Sequence, residues 1–213
     1  MASVLLRRLC LQRQLAGRSV SSLASNSYIK VFKDHPAPGR HLLSLLEMDP
    51  PSPALAIGTT TQLPPTPGSF AENADFRRIL DQVVQEHGHR DSGLQAQAKA
   101  FVGAGGTAMF TAMQQTRHRG RKTAAADATA GATSGGYIHL SDARNPPDFG
   151  RIAWPEDILG SVEVDGEGEI IGRVEPSGTY RIVTNEGILG LSPFLMEKLV
   201  ERLRAEQTKV QQS

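Results

Sequence analysis

Residues 137–191 hold most of the strand-like sequence of this 213-residue chain, and they most restrict how the chain can fold. Apolar and polar residues alternate in 158–164, 169–174 and 179–184, and Asp-Gly-Glu-Gly and Pro-Ser-Gly separate the three runs. Alternation with a period of two, interrupted by such turn residues, is typical of antiparallel strands. The stretch therefore predicts a meander of three or four short strands.

A helix is predicted directly after these strands. Ser192 and Pro193 suit the N-cap and the first helical position. An apolar stripe follows at Leu195, Leu199, Val200 and Leu203. Residues 137–213 thus predict an α+β module, namely a small antiparallel β-meander with a C-terminal helix. The size of this module is near the lower limit for a self-sufficient core.

The N-terminal half is predicted to be largely flexible and partly helical. Aromatic residues make up only 5% of the chain, which also contains 21 Gly and 13 Pro. Prolines clustered at 50–53 and 64–67 mark residues 27–68 as a Pro-rich flexible segment, and 118–136 read as a low-complexity linker. Such segments bury too little apolar surface to offset their conformational entropy.

Residues 69–117 are predicted to be helical. The clearest helix covers 69–87, where Ser69 and Glu72 suggest a capping box and Gly88 a terminator. Its apolar stripe consists of Phe76, Ile79, Leu80, Val83 and Val84. Weaker helices are predicted for 94–101 and 107–117, a short strand for 28–32 and two helical turns for 41–48.

Residues 1–26 contain four arginines, no carboxylate and leucines at roughly helical spacing. This composition is typical of a mitochondrial transit peptide, with a disordered basic tail as the alternative. Arg18, Ser19 and Val20 resemble a cleavage site of the matrix peptidase. We expect a mitochondrial protein of the matrix, since no apolar run approaches the ~20 residues of a membrane span.

Charge is distributed unevenly along the chain. Residues 137–213 carry 8 Lys or Arg and 13 Asp or Glu, a net charge of −5, whereas residues 1–136 have a net charge of +6. An acidic module is a poor nucleic-acid binder. The basic cluster at 117–122 is either a tether to RNA or acidic lipid, or a solvated charge run, and it lacks interleaved aromatic residues.

The candidate functional segment is the 142–157 loop, which contains Asn-Pro-Pro-Asp-Phe-Gly-Arg and the only Trp. The proline pair stiffens the backbone, so that the aromatic side chains can act as apolar anchors. The candidate partner-binding residues are Asn145, Asp148, Phe149, Arg151 and Trp154. This pattern favours a protein-docking surface.

Acid–base chemistry is the alternative for this loop, using Asp142, Asp148 or Asp157 with His139. Carboxylates at turns, however, also serve as caps without any chemistry. The chain has no Gly-x-Ser-x-Gly, and its one cysteine, Cys10, lies in the predicted transit peptide. The pair of histidines at 87 and 89 lacks a third metal ligand. We therefore assign no catalytic residue, cofactor or metal ligand.

Residues 145–151, 154–161 and 178–194 resemble a family of little-characterised fungal mitochondrial proteins. The resemblance covers about the last 75 residues, implies mitochondrial residence and supplies no catalytic residues. The chain is thus expected to be a non-enzymatic mitochondrial accessory or assembly factor that docks a protein partner through its C-terminal module. A small enzyme and a mitoribosome- or RNA-associated factor are the alternatives.

Overall fold

The computed structural model describes residues 20–48, 51–103, 135–148 and 151–212. The first of the two larger sheets is a five-stranded antiparallel meander in which neighbours in sequence are neighbours in space. Its strands are β1 (Val20–Leu23), β2 (Asn26–Phe32), β3 (His41–Ser44), β4 (Gly58–Thr60) and β5 (Phe70–Glu72).

Two helices, a second sheet and a long C-terminal helix follow. The helices are α1 (Ala74–His87), α2 (Ser92–Gly103) and α3 (Pro193–Gln212). The strands are β6 (Gly136–Ser141), β7 (Ile158–Val164), β8 (Ile170–Pro176), β9 (Val183–Thr184) and β10 (Gly187–Ile188). Strands β6, β7 and β8 form an antiparallel meander, while β9 and β10 form a separate two-stranded ribbon. The α+β class, an antiparallel meander and the C-terminal helix are confirmed. The strand predicted at 179–184 is wrong as a member of the meander, because only Val183–Thr184 forms a strand and it pairs in the ribbon.

The prediction of a flexible segment at 27–68 is wrong, because β3, β4 and all but the first residue of β2 lie within it. The prolines that suggested a linker fall between strands. Pro53 begins a 3₁₀ turn between β3 and β4, and the cluster at 64–67 lies in the connection from β4 to β5. Proline is common at turn positions as well as in linkers, and strands of three or four residues leave little alternation in the sequence to reveal them.

The prediction of helical turns at 41–48 is also wrong, since β3 covers His41–Ser44. Leu43 belongs to the main core, whereas Leu42 packs with Phe32 and Ala56 in a smaller cluster. A strand that is buried on both faces has a continuous apolar sequence, which periodicity alone does not distinguish from a buried helix.

Helix α1 starts later than predicted and has a different cap. Ser69 belongs to the turn before β5, where its Oγ accepts a hydrogen bond from the Thr66 amide at 2.9 Å. Asn73 caps the helix instead, with Oδ1 accepting from the Asp75 amide at 3.0 Å. Its Nδ2 donates to the carbonyls of Pro53, Ala54 and Ala56 at 3.0, 3.0 and 2.8 Å. One side chain therefore ties the helix to the turn before β4.

A single hydrophobic cluster joins the two halves of the described structure. Helix α1 packs against β7, β8 and α3. The cluster includes Ile29, Leu43 and Ile57 of the first sheet, Phe76 and Leu80 of α1, Val162 and Val174 of the second sheet, and Leu199 of α3. The C-terminal module therefore shares its core with the N-terminal half, as its small size requires.

Several predictions fall on residues that are not described. They are the helix at 107–117, the basic cluster at 117–122, nearly all of the 118–136 linker and residues 1–19 of the predicted transit peptide. Helix α2 confirms the helix predicted at 94–101. Strand β2 confirms the strand predicted at 28–32. Among the described residues, no helix has the length and apolarity needed to span a bilayer.

Replacing Asn73 by Ala is expected to destabilise the fold by about 2 kcal/mol, because the helix loses its cap and three carbonyls lose a donor. Urea denaturation of the purified protein measures this loss. Asn73→Ser keeps a cap acceptor but not the three donated bonds, and should fall between Asn73→Ala and the unaltered protein. Asn185→Ala, at an exposed position, is the matched control with an effect within about 0.5 kcal/mol. Equal effects of Asn73→Ala and Asn185→Ala would contradict this role.

Candidate functional site

The 142–157 loop connects β6 to β7, and its two ends are joined directly. The Asp142 amide donates to the Asp157 carbonyl at 2.8 Å, and the Ala143 amide donates to the Gly190 carbonyl at 2.7 Å. Near the end of the loop, Pro155–Asp157 form a 3₁₀ turn. The Thr179 hydroxyl donates to the Pro155 carbonyl at 2.7 Å. The loop is therefore fixed at its base and along its return segment.

The Arg144 side chain lies beneath this loop and is only 4% exposed. Its Nε donates to Asp157 Oδ1 at 2.8 Å. Its Nη1 donates to the Ile182 carbonyl at 2.9 Å, and its Nη2 to the Glu156 and Arg181 carbonyls at 3.0 and 2.8 Å. A planar guanidinium with five N–H groups suits this fan of acceptors, which a lysine ammonium does not match.

Asp142 is fully buried beside Arg144 and accepts three hydrogen bonds. Its Oδ1 accepts from the amides of Arg144 and Gly190 at 2.8 and 2.9 Å, and its Oδ2 accepts from the Tyr180 hydroxyl at 2.7 Å. Burial raises the pKa of Asp142, whereas the Arg144 charge and these hydrogen bonds oppose the increase. A Cβ atom at position 190 would lie 2.9 Å from Asp142 Oδ1, which explains the glycine there.

Tyr180 connects this cluster to helix α1. The Arg77 guanidinium lies 5.0 Å from the Tyr180 ring centroid and the Arg144 guanidinium 5.3 Å from it. Arg77 Nη1 also donates to the Tyr180 carbonyl at 2.7 Å, while Arg77 Nε pairs with Asp81. Burial, followed by the nearby Asp142 charge, raises the pKa of the Tyr180 phenol well above its ordinary value. The phenol therefore stays protonated and donates to Asp142.

The outer side of the loop presents two large apolar side chains to solvent. Trp154 is 70% exposed and Ile152 is 64% exposed, while Ala153 between them is buried. The exposed Trp is notable because it is the only one in the chain. Sequence reasoning missed Ile152. The only local signal for its exposure is its position in an extended segment, two residues before Trp154.

The five sequence-predicted contact residues do not form one surface. Asn145 points inward, with Nδ2 donating to Asp157 Oδ2 at 3.2 Å, so that it supports the loop. Asp148 and Arg151 are both exposed. The Arg151 amide donates to the Asp148 carbonyl at 2.9 Å. Phe149 lies outside the described residues. Trp154 is exposed as an anchor should be.

The residues considered for acid–base chemistry are also dispersed. His139 and Asp142 line one cavity, which Asp148 and Asp157 do not reach. His139 Nδ1 lies 2.8 Å from Ser161 Oγ on the paired strand, and burial lowers the pKa of His139. Asp142 and Asp157 are occupied in holding Arg144 and Tyr180. Within the described ranges, no three His, Cys, Asp or Glu residues are grouped as a metal site would need.

No protein-family model matches the chain, and neither the curated proteins nor the solved structures contain a match. The resemblance to fungal mitochondrial proteins therefore stays a prediction. The geometry of the 142–157 loop is the basis on which function is inferred, and it combines a buried polar support with an exposed apolar pair.

Replacing Arg144 by Ala is expected to cost about 3–5 kcal/mol of folding free energy, because the buried Asp157 would lose its charged partner and three carbonyls would lose their donor. Denaturant unfolding followed by circular dichroism measures the loss. Arg181→Ala removes an exposed neighbouring arginine and should change stability by no more than about 0.5 kcal/mol. A loss below about 1 kcal/mol for Arg144→Ala would contradict the supporting role of this side chain.

Proposed function

We propose that this protein is a non-enzymatic mitochondrial accessory or assembly factor that docks a protein partner through the 142–157 loop. The observation that carries the proposal is the exposure of Ile152 and Trp154 on a loop held from below by Arg144. The partner supplies an apolar pocket for these two side chains.

The buried support favours binding because it lowers the entropy cost of association. A flexible loop must be ordered when it binds, whereas a loop already fixed by hydrogen bonds loses little further freedom. Tryptophan is also among the residues that most often dominate interface energies. Removing Ile152 and Trp154 from water contributes about 2 kcal/mol for each side chain. This is enough for two residues to decide whether a partner binds.

The charges around the anchors indicate what the rim of the partner contains. Asp148, Arg151 and Arg181 are exposed on or beside the loop, and Glu156 is partly buried. Both signs are therefore present, which favours a partner whose rim also carries both signs rather than a uniformly charged surface. Nucleic acid is disfavoured as the ligand of this loop for the same reason.

The two alternatives have weaker support. An enzyme working through the loop carboxylates would need at least one of them free to exchange protons with a substrate. Asp142 and Asp157 instead hold Arg144, and Asp148 is exposed apart from them. The RNA-associated alternative rests on the basic cluster at 117–122, which lies outside the described residues, and it stays a prediction from sequence.

Replacing Trp154 by Ala together with Ile152 by Ser should abolish partner capture while leaving the fold intact, because both side chains face solvent. Tagged full-length protein is purified from mitochondria, and recovered proteins are compared quantitatively. The partner identified in this way is then titrated with both forms, and we expect affinity to fall at least about 10-fold.

The matched control is Tyr137→Ala combined with Ile171→Ser, which removes two exposed apolar side chains from the second sheet. This control should leave capture and affinity unchanged. If the double variant at 152 and 154 binds every recovered protein as tightly as the unaltered chain does, the docking proposal is wrong. Equal losses in the two double variants would also contradict it, since the loop would then have no special role.

Mitochondrial import implies removal of the transit peptide, and the fold restricts where the cut falls. Strand β1 begins at Val20 and pairs with β2, and Leu23 is buried in the core. We therefore expect the mature N-terminus between Arg18 and Val20, rather than at the boundary at residue 26. Mass spectrometry of N-terminal peptides from mitochondria checks this. A cut beyond Leu23, or an uncut chain within mitochondria, would contradict the prediction.

A further inference from the structure

The turn between α1 and α2 lies directly against strand β8. A 3₁₀ turn over Gly88–Arg90 joins the two helices and packs on the strand. A Cβ atom at Gly88 would lie only 2.7 Å from Val174 Cγ2, so the backbone of the turn approaches β8 more closely than a larger residue would allow. The side chains of the turn are therefore held next to those of β8.

Four basic side chains are grouped at this junction, namely His87, His89, Arg90 and Arg173. Burial lowers the pKa of His89, and the positive charges of Arg90, His87 and Arg173 lower this pKa further. Charges near a protein surface act over about 10 Å in ordinary salt, so the four groups are neighbours. Among the described residues, no carboxylate offsets their effect on His89. The junction therefore carries positive charge that the protein itself does not neutralise.

Both histidine rings are left without a partner at one nitrogen. The Nδ1 atoms of His87 and His89 are buried, and neither forms a hydrogen bond within the described residues. A buried N–H without an acceptor is rarer and more costly than a buried lone pair. The proton of each neutral ring is therefore on Nε2, where it is a donor. Both rings are partly exposed, so this donor is available to a ligand.

The two arginines also have free donors. Arg90 and Arg173 are exposed, and neither forms an ion pair or a side-chain hydrogen bond with any residue that the structure describes. The carboxylate of Asp91, next to the turn, is buried and instead accepts from the Gly93 amide and the Ser192 hydroxyl. Glu86 lies 3.9 Å from His87 Nε2 and thus competes for one ring only.

We infer that this group of four side chains binds the phosphate monoester group of a small phosphorylated molecule. The guanidinium groups of Arg90 and Arg173 pair with the phosphate oxygens, since their planar forks match phosphate geometry. The Nε2–H group of His89 donates to a remaining oxygen. A phosphate monoester carries nearly two negative charges at neutral pH, so it neutralises both arginines, whereas a carboxylate neutralises only one.

The test uses glycerol 3-phosphate, with acetate and glycerol as probes that carry one charge and none. The full-length protein is titrated at about pH 7.5 and constant ionic strength, where the histidines are mainly neutral. Proton–nitrogen NMR correlations of the histidine rings report both the tautomer and the binding. We expect His89 in the Nε2–H form and saturable shifts, with a dissociation constant on the order of 1–10 mM. Acetate should bind at least about 5-fold more weakly, and glycerol should not bind.

Replacing Arg90 and Arg173 together by Gln should weaken glycerol 3-phosphate binding at least about 10-fold. The fold should stay intact, because both side chains are exposed and make no described polar contacts. Arg151→Gln combined with Arg181→Gln is the matched control, since it removes two exposed arginines and the same net charge. This control should change the affinity by less than about 2-fold.

The phosphate monoester can belong to a soluble molecule or to a lipid headgroup, and vesicles distinguish the two. Sedimentation is measured with phosphatidylcholine vesicles, with and without phosphatidate. Binding to the phosphatidate vesicles that is lost in the Arg90 and Arg173 variant would assign the group to a lipid. Binding to glycerol 3-phosphate alone would assign it to a soluble ligand.

Three results would overturn the inference. The first is the absence of saturable shifts at His89 up to about 50 mM glycerol 3-phosphate. The second is an equal loss of affinity in the two double variants, which would indicate attraction to the overall charge of the protein rather than to this junction. The third is a His89 ring that carries its proton on Nδ1, because the ring would then present no donor to the phosphate.

Discussion

The buried charge of Arg144 is the interaction on which the arrangement of the C-terminal half depends. It joins the 3₁₀ turn before β7 to the chain leading into β9, through Asp157 and the carbonyls of Glu156, Arg181 and Ile182. A buried guanidinium is tolerated only if nearly all its donors are satisfied, and here four hydrogen bonds satisfy them. The same requirement fixes the positions of the segments that supply the acceptors, so the base and the return segment of the loop have one favoured arrangement.

The support reaches beyond the C-terminal half. Arg77 of α1 donates to the Tyr180 carbonyl, and the Tyr180 hydroxyl donates to Asp142. Asn26 of β2 donates to the Leu189 carbonyl at 2.9 Å. Because the hydrophobic core is also continuous between the two halves, the loop depends on packing contributed by residues about a hundred positions earlier. The small C-terminal meander is therefore one part of a larger fold.

Sequence reasoning succeeded where the signal is local. Strand β7 and the Ser192 cap of α3 follow from alternation and capping chemistry, and both are present, with Ser192 Oγ accepting from the Leu195 amide at 3.3 Å. It failed where structure depends on distant partners. Arg144 and Ile182 are 38 positions apart, and Asn145 was expected to face a partner although it supports Asp157. Residue spacing in the sequence does not predict such long-range pairings. It also does not show that the turns within 27–68 connect strands.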